Sequence, residues 1–262
     1  MIADARPTKT GSPSLLRVQN LFLDYARRRV FAPENVATHA LRGVSFELRA
    51  RETLALVGPS GSGKSSLARC LVRLEIPSSG QIFLEGNDLC AMDTIALSGA
   101  RKKIHLIFQD AASALNPRFT VEEIVGEPLA IHEPRMGGVE RNNRVADALN
   151  QVELTHGWHG RRPRELSGGQ RQRVAIARSL VLQPKLLILD EALSSLDLSA
   201  QSQIANLLFD LQERQGLAYL YITHDLRMAK AVAGEIAVLE AGRMVAQALP
   251  TELIASNLQP VS

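Results

Sequence analysis

A glycine-rich segment near residue 60 has the spacing of a phosphate-binding loop. Residues 58–65 read GPSGSGKS and match the pattern GxxxxGK[ST], directly after the apolar run 53–57. In this pattern backbone amides turn toward phosphate oxygens, the lysine reaches the terminal phosphates, and the last hydroxyl ligates Mg²⁺. The sequence therefore predicts a nucleotide site made by Gly58, Pro59, Ser60, Gly61, Ser62, Gly63, Lys64, Ser65 and Ser66.

Two carboxylates follow a second apolar run. Asp190 and Glu191 come directly after residues 186–189, which read LLIL. Ligands of open α/β sheets bind at the carboxyl ends of the strands, so we expect this pair beside the phosphate loop. Asp190 is suited to hold Mg²⁺, and Glu191 to orient and polarise an attacking water. An acidic pair alone is more often a solvated turn, but the phosphate loop in the same chain favours the catalytic interpretation.

A second glycine-containing segment precedes a helical pattern over residues 171–182. It reads LSGGQ, and it places Ser167, Gly168, Gly169 and Gln170 at a helix start. Free amides and the helix dipole would make this a second anion site. An ordinary serine-capped helix is the alternative interpretation.

The elements around these motifs predict an α/β chain. The runs 53–57, 104–108, 186–189, 217–222 and 236–239 are continuously apolar, which is typical of a mostly parallel sheet covered by helices. Mixed runs at 15–25 and 41–48 predict an N-terminal antiparallel β region. Helical patterns at 66–74, 121–126 and 143–152 follow the 3.6-residue period. We expect a single domain over 15–250 with an inserted helical subdomain at about 110–169, a flexible tail at 1–14, a solvated loop at 27–29 and a C-terminal tail at 251–262.

Composition excludes several classes of protein. The chain has 262 residues, 45% hydrophobic and 22% charged, as expected of a folded soluble chain with one large domain or two modest ones. It contains no run of about 18 apolar residues, so a transmembrane helix is not predicted. The net charge of +3 is too small to indicate a nucleic-acid surface. Cys70 and Cys90 form no metal or disulfide pattern, which favours a reducing cytosol.

Taken together, the motifs resemble those of the nucleotide-binding subunits of ABC transporters. GPSGSGKSS, LSGGQ, LLILDE and ITHD stand in the order and spacing of that family, over residues 15 to about 249. The resemblance implies the P-loop NTPase fold of ABC ATPases, with ATP and Mg²⁺ as ligands. It also implies that LSGGQ is presented across a dimer interface to the γ-phosphate of ATP held by the other subunit.

The resemblance assigns roles to four further residues. Gln109 would sense Mg²⁺ and the attacking water, joining Ser65 and Asp190 around the metal, and would link hydrolysis to a transmembrane partner. His224 would contact the γ-phosphate and act with Glu191 and Gln109 in catalysis. Asp197 would lie at the dimer interface, and Tyr25 would stack on adenine. Each role has an alternative. Gln109 could be an ordinary surface glutamine and His224 a histidine without such a role. Asp197 could cap the next helix, and Tyr25 could be an aromatic that only packs.

One stretch resembles a particular branch of the family. Residues 108–118, 121–124 and 127–129 resemble the importer ATPases for oligopeptides, dipeptides and nickel. The sequence leaves short peptides and nickel open as alternative cargoes. The implied partners are two permease subunits, a second ATPase subunit in a homodimer or heterodimer, and indirectly a solute-binding protein, with no direct nucleic acid. The implied place is the cytoplasmic face of the inner membrane, as a peripheral protein.

Three alternative functions can be compared with the sequence. An exporter ATPase belongs to the same class and is separated from an importer by its permeases. An ABC ATPase acting on DNA or ribosomes would need a long coiled coil or two cassettes, and residues 64–166 show no sustained heptads. A regulatory module without catalysis is disfavoured because all the catalytic residue types are intact.

Overall fold

The structure is a computed structural model that describes residues 14–27, 36–109 and 114–255. The strands in these ranges are β1 (Ser14–Arg27), β2 (Val36–Arg49), β3 (Thr53–Val57), β4 (Ser79–Leu84), β5 (Asn87–Asp88), β6 (Ile104–Ile107), β7 (Leu186–Asp190), β8 (Ala218–Ile222), β9 (Glu235–Glu240) and β10 (Arg243–Ala248). The helices are α1 (Lys64–Leu71), α2 (Thr94–Arg101), α3 (Val121–His132), α4 (Gly138–Gln151), α5 (Gly168–Leu180), α6 (Leu198–Gln215), α7 (Leu226–Val232) and α8 (Pro250–Ala255).

A six-stranded sheet forms the centre of the described chain. Its order is β10-β9-β3-β8-β7-β6, and every neighbouring pair from β9 to β6 is parallel, whereas β10 pairs with β9 in the antiparallel direction. Every residue of β3, β7 and β8 is buried. This confirms the prediction from the continuous apolar runs, because strands covered on both faces have no solvent side for polar residues. The carboxyl ends of β3, β7 and β8 meet at one edge.

A four-stranded antiparallel sheet has the order β2-β1-β4-β5. It confirms the predicted N-terminal β region and shares one apolar core with α1 and one face of the six-stranded sheet. The strands β4 and β5 were not predicted. Only two of six positions in β4 are fully buried, and β5 has two residues, so neither has a strong apolar pattern.

The helices α3 and α4 lie between β6 and α5 in the chain, as an insertion into the α/β core. They pack on each other and on α5, with Val125, Leu129, Leu149 and Val174 in the shared apolar core. The helix α3 starts at a capping box in which Thr120 and Glu123 bond each other's backbone amides. The predicted mostly parallel α/β fold with an inserted helical part is confirmed.

Several predicted boundaries shift. The helix α1 covers 64–71 rather than 66–74, because the Leu67 amide already bonds Gly63 O and Arg73 takes a left-handed φ of 56°. The helix α5 begins at Gly168 because Ser167 caps it. The helix α3 extends past the predicted 121–126 to His132, and α4 begins at Gly138 rather than at residue 143. The strand β6 ends at Ile107, one residue before the predicted end at Phe108.

The ends of the described chain also differ from the expected tails. In the four-stranded sheet, Ser14 of β1 pairs with Arg49 of β2, and Arg27 of β1 pairs with Val36 of β2. Ser14 therefore lies in a strand rather than in the predicted tail, and Arg27 in a strand rather than in the predicted loop. The helix α8 continues to Ala255, and its start is stabilised by the Leu249 amide, which donates to the Glu252 carboxylate. The rest of the predicted tails, two arginines of the predicted loop and residues 110–113 lie outside the described residues. Within the described ranges, no helix is both long and apolar enough to cross a membrane.

The edge strand β6 carries a histidine that should make stability depend on pH. Burial, together with the nearby charges of His132 and Arg178, lowers the pKa of His105 to about 4. The unfolded chain therefore binds more protons than the folded one between pH 6.5 and 4, and stability falls as pH falls through this range. We expect His105→Leu to remove about 2–3 kcal/mol of the loss between pH 7 and pH 4.5. Urea unfolding at both pH values measures it, and an unchanged pH dependence would contradict the assignment.

Candidate active site

The phosphate loop connects the buried strand β3 to α1 and passes close to two other segments. A Cβ atom on Gly58 would lie 2.0 Å from Leu239 O, and one on Gly63 would lie 2.5 Å from Ala40 O. Gly63 also has a φ of 108°, so it needs glycine for both space and conformation. Pro59, Ser60 and Gly61 are exposed, and a Cβ on Gly61 would meet no atom within 4 Å. The loop is therefore fixed at its two ends and open along its outer side.

Two polar groups of the loop point inward. The Lys64 ammonium is buried and donates to Gly58 O at 2.8 Å and to Pro59 O at 2.9 Å. The Ser62 hydroxyl is buried and has no hydrogen-bond partner among the described residues. Burial lowers the pKa of Lys64, while Glu191 and Asp190 oppose this shift. A phosphate in the loop would supply acceptors to both groups.

The hydroxyl of Ser65 and the carboxylate of Asp190 meet across the core. Ser65 Oγ donates to Asp190 Oδ1 at 3.2 Å, although 125 positions separate them in the sequence. Asp190 is buried, and this burial raises its pKa, against the effect of the Ser65 bond. No group of three or more His, Cys, Asp or Glu residues within the described ranges could hold a metal alone. Two oxygen ligands fit Mg²⁺, which takes one or two protein ligands and completes its shell with water and phosphate oxygens.

Glu191 and His224 form the next pair along the same edge. Glu191 has a left-handed φ of 49°, and its amide donates to Ile222 O at 2.9 Å. Its Oε1 lies 3.4 Å from His224 Nδ1, and the two side chains are 21% and 61% exposed. The strand ends of β7 and β8 thus place a half-buried carboxylate beside an accessible imidazole. Such a pair can orient a water and accept its proton.

Gln109 lies near the same edge but makes no described hydrogen bond with these groups. The register pairs Ile107 with Leu189, so Gln109 and Glu191 each lie two residues past the last aligned pair. Gln109 is exposed, and Phe108 beside it is 43% exposed. The structure therefore places Gln109 at the level of Glu191 with its side chain free of core packing.

Tyr25 reaches the phosphate-loop helix from β1. Its hydroxyl lies 3.2 Å from Ser66 Oγ and also donates to the Glu75 carboxylate. The side chain is 38% exposed. Tyr25 therefore neighbours the loop and leaves part of its ring open to a ligand.

The LSGGQ segment and Asp197 are brought together, but apart from the phosphate loop. Ser167 Oγ accepts from the Gln170 amide at 3.3 Å, and Gln170 Oε1 accepts from the Ser167 amide at 2.9 Å, which is a capping box. Asp197 caps α6 through the Ala200 amide at 2.9 Å. A Cβ on Gly168 would lie 3.6 Å from Leu196. Within the described ranges, no hydrogen bond or ion pair joins these residues to residues 58–66.

Gln201 is a positioning residue that was not predicted from the sequence. Its Nε2 donates to Leu193 O and to Leu196 O, both at 3.1 Å. These carbonyls belong to the loop between Glu191 and Asp197, and Ser194 Oγ adds a bond to Glu191 O at 2.8 Å. A glutamine on a helix is ordinarily a surface residue, so no local pattern indicates this role.

Removing the Gln201 amide should loosen this loop. Each bond contributes about 0.5–1.5 kcal/mol, and Gln201→Leu loses both at similar volume. We expect kcat for ATP to fall about tenfold with little change in ATP affinity, because the phosphate loop is untouched. Steady-state kinetics together with equilibrium binding measures the two effects. Gln203→Leu, an exposed position on the same helix, is the control, and equal effects of the two variants would contradict the role.

Comparisons with known proteins agree with this geometry. The sequence profile of the family described as ABC transporter matches residues 41–194. The chain is 43% identical over 247 residues to the oligopeptide transport ATP-binding protein OppD of Mycobacterium tuberculosis, which covers 93% of this chain and 40% of OppD. It is 40% identical over 234 residues to the dipeptide transport ATP-binding protein DppF of Escherichia coli, covering 89% of this chain and 70% of DppF. The chain thus spans less than half the length of OppD.

A solved structure has the same fold. The dimeric structure of a post-hydrolysis state of the ATP-binding cassette MJ0796, bound to ADP and Pi, superposes with a TM-score of 0.78 at 30% identity. The match covers 90% of this chain and 98% of the other. The fold and site define an ATPase cassette, and the chain belongs to the ABC transporter family. The sequence resemblance and the predicted ABC ATPase fold are confirmed.

Proposed function

We propose that this chain binds and hydrolyses ATP with Mg²⁺ and thereby energises an ABC importer of short peptides. The observation that carries the proposal is the convergence of Lys64, Ser65, Asp190, Glu191 and His224 at one edge of the sheet. These groups come from three strand ends that are far apart in the sequence. A turn with a merely structural role would not require them to meet.

The chemistry follows from what each group can do. Lys64 and the loop amides would bind the terminal phosphates, and Ser65 and Asp190 would hold the metal. Mg²⁺ would neutralise charge on the phosphates. Glu191 Oε orients a water toward the γ-phosphorus and accepts its proton as the P–O bond to ADP breaks. His224 lies 3.4 Å from Glu191, where it can orient that carboxylate and contact the γ-phosphate. Gln109 links the presence of ATP in the site to the transmembrane partner.

A second ATPase subunit completes the site. The LSGGQ helix start packs on the loop before α6 rather than on the phosphate loop of the same chain. The LSGGQ helix start would therefore contact the ATP bound by the phosphate loop of a second cassette, with Asp197 at the interface between the two cassettes. Leu198, next to Asp197, is 78% exposed, as expected of a side chain that a partner covers. The dimeric form of MJ0796 supports this arrangement.

Permease subunits are the second kind of partner. Phe108 and Phe119 are 43% and 37% exposed, and in the sequence they flank the segment that follows Gln109. Aromatic side chains are enriched at protein interfaces, so these two exposed rings suit contact with a transmembrane subunit. Such contacts would place the chain at the cytoplasmic face of the inner membrane, with a solute-binding protein acting only through the permeases.

The cargo is inferred from the relatives. OppD and DppF are named as oligopeptide and dipeptide transport proteins, and the similarity to them covers 93% and 89% of this chain. We therefore propose peptides as the cargo and nickel as the alternative.

Isolation of the complex tests the partners. A tag on the N-terminus, gentle solubilisation of native membranes and mass spectrometry should recover two importer-type permeases and an ATPase subunit, with untagged cells as the control. Recovery of exporter-type membrane proteins, ribosomes or DNA-associated proteins would contradict the proposal.

A further inference from the structure

The hydroxyl of Tyr25 is tied to the helix that carries the phosphate loop. It donates to Glu75 Oε2 and lies 3.2 Å from Ser66 Oγ, across 50 and 41 positions of sequence. These bonds join the end of β1 to the first turn of α1 and to the turn after α1. Burial and Glu75 both raise the pKa of Tyr25, so the hydroxyl stays protonated and can donate.

Glu75 is itself held in place. Its Oε1 lies 3.3 Å from Arg69 NH1 on α1, and its amide is 3.3 Å from Arg69 O. One carboxylate oxygen therefore faces Arg69 and the other faces Tyr25. The Glu75 side chain is only 22% exposed, so this acceptor has limited freedom to turn toward water.

The network leaves the aromatic surface available. Tyr25 remains 38% exposed while its hydroxyl is bonded. A tyrosine ring that is already fixed loses less conformational freedom when a flat ligand stacks on it. The same helix begins with Lys64 and Ser65, so the ring is anchored to the element that binds phosphate.

We propose that Glu75, through its bond to the Tyr25 hydroxyl, is a positioning residue that fixes this ring for stacking against the base of the nucleotide. The inference rests on the proposed binding of ATP. It adds a residue outside every recognisable motif to the binding of the base. Glu75 bonds the Tyr25 hydroxyl and makes no described hydrogen bond with residues 58–65, so its effect should reach the base and spare the phosphates.

Two ligands separate this role from a merely structural one. MgATP carries a base, and magnesium tripolyphosphate carries the phosphates alone. We expect Glu75→Leu and Tyr25→Phe each to weaken MgATP binding about three- to tenfold, the scale of one side chain that must be ordered on binding. Tripolyphosphate affinity should stay within twofold of the wild type, and Glu75→Gln, which keeps an oxygen acceptor, should lose less than Glu75→Leu.

A double mutant and a matched control complete the experiment. Each substitution removes the same hydrogen bond between the Tyr25 hydroxyl and Glu75. The Tyr25→Phe/Glu75→Leu variant should therefore bind MgATP no more weakly than the worse single variant. Glu85 is a comparable glutamate that bonds Lys103 and Lys185 elsewhere, and Glu85→Leu should leave both affinities unchanged.

Four outcomes would overturn the inference. Equal losses for the two ligands would indicate a structural role, and additive losses in the double mutant would indicate independent effects. Unchanged MgATP affinity in Glu75→Leu would remove the role of Glu75 while leaving ATP binding by the wild type intact. A wild-type protein that binds neither ligand would overturn the proposed function, and this inference with it.

Discussion

Glu191→Gln is expected to abolish most ATP turnover and to leave ATP binding intact. The amide has the shape of the carboxylate but cannot accept the proton of the attacking water. General-base catalysis of this kind contributes about 10²–10⁴-fold, so we expect kcat to fall by at least 100-fold. The backbone of Glu191 is held by Ile222 O and by the Ser194 hydroxyl, which the substitution does not change.

The measurement compares kcat with the dissociation constant of MgATP for the assembled complex. Glu235→Gln is the control, because Glu235 lies at the opposite end of the sheet, bonded to Gln247. Turnover above a tenth of the wild-type rate would contradict the assignment of Glu191. Loss of ATP binding in the same variant would indicate that Glu191 has a role in binding rather than in the chemical step.

Lys64→Ala is expected to weaken ATP binding itself. The buried ammonium loses its charge-assisted bonds to phosphate, which contribute about 1.5–3 kcal/mol each. A loss of that size corresponds to an increase of about 10–150-fold in the dissociation constant for MgATP. The fold should survive, because Pro59, Ser60 and Gly61 of the loop are exposed and the backbone of Gly58 lies close to Leu239 O.

Equilibrium binding of MgATP to the purified protein measures this effect, and circular dichroism checks the fold. Lys230→Ala is the control, since Lys230 is an exposed lysine on α7. A dissociation constant within threefold of the wild type would contradict the role of Lys64.

The strands of the core could be predicted because their burial on both faces leaves a continuous apolar run. The strands β4 and β10 could not, since they lie outside the parallel core with mixed burial along their length. For the same reason the sequence predicts β3 to the residue but shortens β1 and β2, whose outer ends mix apolar and polar residues on an antiparallel sheet.

The site divides in the same way. The phosphate loop and Asp190 are predicted from local sequence because strand ends and helix starts fix their direction. The bond of Glu75 to Tyr25 depends on how distant segments pack, which no local spacing records. The partners of Gln201 are near it in the sequence. Its role could still not be predicted, because the sequence does not distinguish a glutamine that bonds a loop from one that faces solvent.

Peptide uptake by cells that carry only the Glu191→Gln allele is the most direct measurement of the central claim. Uptake of a labelled short peptide should fall to the level of a deletion strain, while nickel uptake and the amount of assembled complex stay unchanged. Restoration by the wild-type gene, and not by Lys64→Ala, should follow. Normal peptide uptake in the Glu191→Gln strain would contradict the account, and a selective loss of nickel uptake would replace peptides with nickel as the cargo.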